Sequence, residues 1–210
     1  MSIATILEQQ IDQKTQLKPW AMPETIRTRF RALRASLTAS LAEGRVIAVT
    51  SHSRGEGVSW VCSRLACALA ESGRPTVLVD AHAAHPSQFS LFGVAGRVPE
   101  RAADLRKWQI CTELAIAEVE PDMSLETLKP AISRLALPGR LVLIDCAPFA
   151  AGAMVLELGS VLDGVLFIVE AGNQRREMLA QAILQTKRAG LRIIGTVVNK
   201  HRQYVPSLLD

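Results

Sequence analysis

Gly55, Gly57 and Ser59 lie in the stretch RVIAVTSHSRGEGVS, Arg45 to Ser59. A β-branched apolar run stops at Thr50, a loop with two glycines follows, and a helical pattern begins. Glycines let backbone N–H groups come close to an anion, and the N-terminus of the next helix adds partial positive charge. That chemistry suits a phosphate. Asp80 closes the run PTVLVD and Asp145 closes LVLID, which puts both carboxylates at the C-terminal ends of aliphatic strands. One residue breaks the pattern: position 58, where such loops carry a lysine, is Val58.

The elements that position these residues follow from periodicity. Glu24 to Glu43 carries Ile26, Phe30, Leu33, Leu37 and Leu41 as one apolar stripe, with Gly44 as a stop. Arg27, Arg31 and Arg34 lie together beside that stripe, a basic ridge with few acids on its own helix. It reads as a face for an outside partner or as solvated arginines. Gly57 to Ser72 is a second helix, with Val61, Leu65, Ala68 and Leu69 at helical spacing. Pro99 to Trp108 reads as a charged helix and Ile110 to Val119 as a short strand. Ser124 opens a helix towards Leu137, with Pro130 as a kink or break. A short helix around Met154 to Val161 precedes the strand GVLFIVE, and a long helix from Arg175 to Ala189 precedes RIIGTVVN.

Strands alternating with helices specify an α/β fold whose sheet is mainly parallel and flanked by helices. In such sheets ligands sit at the C-terminal strand ends, where the loop, Asp80 and Asp145 gather. Residues 3–17 have weak helical spacing, and Pro19 and Pro23 interrupt what forms there. The expected organisation is a flexible N-terminal arm over residues 1–23, one domain over 24–204, and a tail over 205–210.

A chain of 210 residues is long enough for one full core, and the low aromatic content makes that core aliphatic. No apolar run is long enough to span a bilayer and no signal-peptide core opens the chain, so the expected location is cytoplasmic. The four cysteines lack CxxC spacing and read as reduced thiols. The net charge of +4 is uneven: residues 14–45 and 173–210 each hold seven Lys/Arg against two acids. Basic ends around a mildly acidic middle fit anionic membranes, nucleic acid or an acidic partner, or simply a solvated surface.

Taken in order, RALRASL, VTSHSRGEGVSW, LACALAESGRPTVLVDAHAAHP, LFGV, LVLIDCAP, LDGVLFIVEAG and GLRIIGTVVNK resemble a family. It is the cytoplasmic kinase domain of bacterial tyrosine kinases that govern capsule and exopolysaccharide export (the CpsD/CapB type), in the MinD/ParA class of P-loop ATPases. The match runs from about Glu24 to Tyr204. It implies a P-loop NTPase-like domain, with ATP or ADP held by Arg54, Gly55, Glu56, Gly57, Val58 and Ser59. It implies Mg²⁺ near Ser59, Asp80 and Asp145, and a catalytic group at position 82. Against the family's loop SSxPGEGKS, Val58 stands for the lysine and Arg54 for the proline. Against its DxDxR, Asp80 is kept, while His82 and Ala84 replace the second acid and the arginine. Against IIDTPP, Ile144, Asp145 and Pro148 keep the frame. Against the oligomerisation pattern ExxRxxR, Arg31 and Arg34 are kept and Thr28 replaces the acid. The family's tyrosine-rich tail is reduced to one possible phosphosite, Tyr204.

Losing the lysine removes the mobile charge that neutralises phosphates during transfer, while the backbone cradle stays. A charge-assisted hydrogen bond contributes about 1.5–3 kcal/mol, so nucleotide binding is expected to be weak. His82 is a poor Mg²⁺ ligand beside an aspartate. The expectation is a catalytically impaired relative, a pseudokinase acting through protein contacts. Its partners would be an inner-membrane polysaccharide co-polymerase or export protein, an active kinase paralogue, or further copies of itself, at the inner face of the cell membrane. Nucleic acid is not the expected partner, and peripheral membrane association fits the basic ends. Three alternatives stay open. The first is an active tyrosine kinase or ATPase using Arg54 or His82 in unusual roles. The second is a MinD/ParA-like positioning protein, although Ser53 stands where that class has its signature lysine. The third is a transition-metal site built from His82 and His85 with Asp80 and Asp145.

Overall fold

The computed structural model describes residues 3–8, 19–41, 46–83, 85–94, 99–102, 104–172 and 176–201. Among the described residues nine strands form one sheet: β1 (Ile3–Glu8), β2 (Val46–Ser51), β3 (Thr76–Asp80), β4 (Glu100–Ala102), β5 (Leu105–Cys111), β6 (Leu114–Glu118), β7 (Leu141–Asp145), β8 (Gly164–Glu170) and β9 (Ile193–His201). Their order is β1-β9-β8-β2-β7-β3-β6-β5-β4. From β1 to β6 every pairing is parallel; β5 and β4 close one edge antiparallel. The aliphatic strands sit centrally, where both sheet faces are covered and continuous apolar runs are needed.

Strand alternation divides the core into two layers. Ile47, Val49, Leu78, Leu143 and Leu166 face helices α1 (Glu24–Ser40) and α2 (Val58–Ala70), meeting Phe30, Leu33, Leu37, Leu65 and Leu69. Ala48, Val79, Val142, Ile144 and Phe167 face the other way, towards α4 (Leu125–Leu135), α5 (Met154–Glu157) and α6 (Arg176–Arg188). A short helix, α3 (Gln88–Leu91), follows the loop after β3. Pro130 lies within the first turns of α4, and the Ser124 hydroxyl caps that helix by accepting from Thr127 N–H at 3.3 Å.

Two sequence expectations are corrected. Where a charged helix was expected over Pro99 to Trp108, Glu100–Ala102 and Leu105–Cys111 form strands β4 and β5. The charges pair across strands: Lys107 Nζ lies 3.2 Å from Glu100 and Arg106 Nη2 lies 3.0 Å from Glu118, while Leu105 and Trp108 are buried. The N-terminal arm is the second correction. Ile3–Glu8 is an edge strand running parallel to β9, since backbone groups open along β9 satisfy those of the arm. Just before α1, Pro19 and Met22 are buried while Trp20, Ala21 and Pro23 are exposed. Ile110–Val119 contains the end of β5 and all of β6. Tyr204 and the tail over 205–210 lie outside the described residues.

Candidate functional site

The central strands deliver the loop and both carboxylates to one crevice. β3 and β7 are neighbours with Asp80 opposite Asp145, and β2, on the other side of β7, ends where the loop begins. A cavity of about 510 Å³ opens there, bounded by the loop, His82, His85, Ser87 and Asp145.

The loop holds its shape through internal bonds. Ser51 Oγ donates to the Ser53 carbonyl at 2.8 Å, and Glu56, buried, accepts from Ser53 N–H at 3.0 Å. Gly57 sits at φ +92° and ends the loop at the N-terminus of α2. A Cβ at Gly57 would overlap the Asn199 side-chain amide, which donates to the Glu56 carbonyl at 2.9 Å. Gly57 is therefore required twice, by backbone conformation and by the approach of β9. The first-turn N–H groups of α2 face the cavity end of the helix without intrahelical acceptors, as at any helix start. N–H groups so arranged can cradle an anion.

The charged parts differ. Val58 opens α2 half-buried and packs against the hydrophobic core. Arg54 is exposed at the loop tip, close enough to His82 to lower that imidazole's proton affinity. Burial is the larger cause of the lowering, and Asp80 opposes it. His82 and His85 meet edge to face with centroids 5.5 Å apart. Among the described residues no three His, Cys, Asp or Glu side chains assemble as a metal-binding group, so the transition-metal reading has no cluster to stand on.

Both aspartates are buried and already bonded. Asp80 Oδ2 accepts from Ser87 N–H and Gln88 N–H, each at 2.8 Å, and Oδ1 accepts from His82 N–H at 3.3 Å. Burial raises the Asp80 carboxyl above its ordinary value, and those three N–H groups oppose the rise. Asp145 Oδ2 accepts from Gln88 Nε2 at 2.7 Å, and the Ser59 side chain also bonds this carboxylate. Burial, then the neighbouring Asp80, pushes Asp145 up to about 7. The same Gln88 Nε2 donates to the Ser59 carbonyl at 3.0 Å.

Mg²⁺ requires oxygen acceptors arranged octahedrally at about 2.0–2.1 Å. Here Asp145 is already engaged by the Gln88 amide donor and the Ser59 side chain, and position 82 offers an imidazole. The donor set does not suit Mg²⁺ as it stands. For the phosphates the fit is partial, with the backbone cradle kept and the lysine gone.

The structure thus brings Arg54, Gly55, Glu56, Gly57, Val58, Ser59, His82 and Asp145 around one cavity, with Asp80 just beneath. It does not leave the α1 ridge bare. Arg31 lies 3.1 Å from Glu24, and both Arg27 and Arg31 approach Glu71, each at 4.0 Å. Gln88 and Asn199 were not legible as site residues. A neutral amide carries no charge or spacing signal, and both act across long sequence separations.

No protein-family model matches the chain. Among curated proteins it is 24% identical over 197 residues to the tyrosine-protein kinase CpsD of Streptococcus agalactiae, covering 86% of each chain. It is 22% identical over 197 residues to the tyrosine-protein kinase YwqD of Bacillus subtilis, covering 83% of each. A 28% match over 177 residues to the succinoglycan biosynthesis transport protein ExoP of Rhizobium meliloti spans 76% of this chain and 22% of that protein. Among solved structures, the chimerical protein CapA2B2 superposes with a TM-score of 0.81 at 18% identity, covering 95% of this chain and 94% of that one. The kinase domain of Escherichia coli tyrosine kinase ETK gives 0.74 at 15% identity, covering 97% and 88%. MinD of Pyrococcus horikoshii, complexed with Mg-ADP, gives 0.60 at 19% identity, covering 76% and 74%. The fold is the MinD-like P-loop fold. Within it, the chain is similar in sequence, over most of its length, to the tyrosine-protein kinases CpsD and YwqD. No helix among the described residues is long and apolar enough to cross a membrane.

Proposed function

We propose that this chain is a catalytically impaired relative of the polysaccharide-export tyrosine kinases, regulating exopolysaccharide or capsule synthesis or export through protein contacts. One observation carries the reading: the crevice keeps the backbone cradle while the groups that would act on a phosphate are replaced or engaged elsewhere. Val58 packs into the core in the lysine's place, and His82 stands at the second acidic position. Asp80 and Asp145 spend their oxygens on internal hydrogen bonds. Stabilising the charge that develops in phosphoryl transfer is the main task of such a site, and little is left to do it.

Nucleotide binding is weak in this reading, lower by about ten- to a hundredfold for want of the lysine's charge-assisted hydrogen bond. The partner is an inner-membrane polysaccharide co-polymerase or export protein, or an active kinase paralogue. The ExoP match supports that choice, because a region similar to this chain there forms part of a protein named for biosynthesis and transport. Self-association through Arg34 and its neighbours is a further part of the proposal; the Arg34 Nε is buried and has no hydrogen-bond partner among the described residues. The experiment is a titration of a fluorescent ATP analogue with Mg²⁺, followed by an autophosphorylation assay. Micromolar binding together with phosphate on Tyr204 contradicts the reading.

Arg54 supports a second reading, an atypical active site, because it stands at the loop tip within electrostatic range of His82. In that case Arg54→Ala abolishes turnover; an unchanged rate rejects the role.

A further inference from the structure

Gln88 is completely buried, and no phosphate-loop chemistry demands it. Its backbone N–H is fixed by Asp80 Oδ2 at 2.8 Å, which anchors the start of α3 beneath the crevice. From that anchor its side-chain NH₂ reaches two oxygens on two different elements: the Ser59 carbonyl in the first turn of α2 at 3.0 Å, and Asp145 Oδ2 at the end of β7 at 2.7 Å. The amide orientation follows from chemistry, since the reverse would set its oxygen against two acceptors. Its own oxygen is buried and has no hydrogen-bond partner among the described residues.

A divalent cation in such a crevice would draw the helix serine and the strand aspartate together by attracting oxygen from both. The Gln88 NH₂ links the same two elements with two N–H bonds, to the Ser59 carbonyl and to Asp145 Oδ2, beside the bond the Ser59 side chain makes to Asp145. We infer that the Gln88 carboxamide is the built-in substitute for a divalent cation, making this crevice metal-independent. The inference deepens the impaired-kinase reading and rests on it in taking the crevice as a phosphate-loop site. Gln88 also touches both buried carboxylates, Asp80 through its backbone N–H and Asp145 through its side-chain NH₂.

The test uses Mn²⁺ and Mg²⁺ as probes on the nucleotide-free full chain at pH 8, followed by calorimetry and by the paramagnetic signal of free Mn²⁺. The native protein is expected to show no saturable Mn²⁺ binding, and Gln88→Ala is expected to acquire it, at least about tenfold tighter than native, as befits exchange of a hydrogen bond for a charged ligand. Saturable binding by the native protein overturns the inference. So does a folded Gln88→Ala protein as silent as native, because Gln88 then is not what stands in for the metal. Gln88→Glu keeps the side chain's reach and turns donor into acceptor, so it serves if the alanine variant fails to fold. Its melting temperature is expected to rise by several degrees on adding Mg²⁺ while the native value stays still; no rise overturns the inference. Phosphorylation of Tyr204 judges the impaired-kinase reading separately, so the two fail independently.

Discussion

Replacing Asp145 by asparagine tests how the crevice is held together. The Asp145 carboxyl is raised from 3.8 to about 7, chiefly by burial and next by Asp80. Each unit of displacement corresponds to about 1.4 kcal/mol, so an ionised Asp145 costs the folded state at most about 4 kcal/mol. Between about pH 4 and 7 the folded chain keeps this proton while the unfolded chain has lost it. Stability from this group therefore falls as pH rises through that window and levels off above it. Asparagine removes the charge and keeps the bonds: its oxygen accepts from Gln88 Nε2 and its NH₂ donates to Ser59. Asp145→Asn is thus expected to match the native protein near pH 4 and to exceed it progressively up to pH 8. In a chain of this size about 1 kcal/mol moves Tm by about 2–4 °C, so the gap at pH 8 is on the order of 10 °C. Thermal denaturation followed by circular dichroism from pH 4 to 8 measures it. A gap that is constant with pH, or an asparagine variant less stable than native at pH 8, refutes the reasoning.

Val58→Lys restores a cation at the start of α2 and is expected to tighten ADP binding by about ten- to a hundredfold in calorimetry. Its stability cost should be about 1 kcal/mol from lost apolar packing, and phosphoryl transfer should stay absent because His82 and the engaged carboxylates remain. Gly57→Ala forces a side chain at φ +92° into the Asn199 amide and is expected to destabilise by more than about 1 kcal/mol in urea titration. Adding Asn199→Ala should relieve the overlap but not the backbone strain. Phe30→Ala empties a fully buried position where α1 meets Trp60 on α2, and is expected to cost about 3–5 kcal/mol.

The central sheet was legible because its strands are buried on both faces, and runs such as Val46–Ser51 and Leu141–Asp145 leave few other readings. The meeting of the loop, Asp80 and Asp145 followed from the rule that parallel strand ends share one crevice. The edges were not legible. Arg106 and Lys107 read as helix charges because their acids, Glu118 and Glu100, pair across strands rather than at helical spacing. Ile3–Glu8 finds its partner in β9, nearly the whole chain away, and nothing local marks it as a strand. The α1 ridge looked unpartnered for the same reason, since Glu71 reaches it from the end of α2. Within the site, the departure at Val58 was plain from the sequence, whereas the reach of Gln88 to Ser59 and Asp145 existed only once α3 was placed.

The central claim is that the inherited phosphate crevice no longer transfers phosphate. Its most direct test is the intact mass of the purified full chain after prolonged incubation with ATP and Mg²⁺. The account predicts an unmodified mass. A phosphate found on Tyr204, and lost when Asp145 is changed to asparagine, contradicts it.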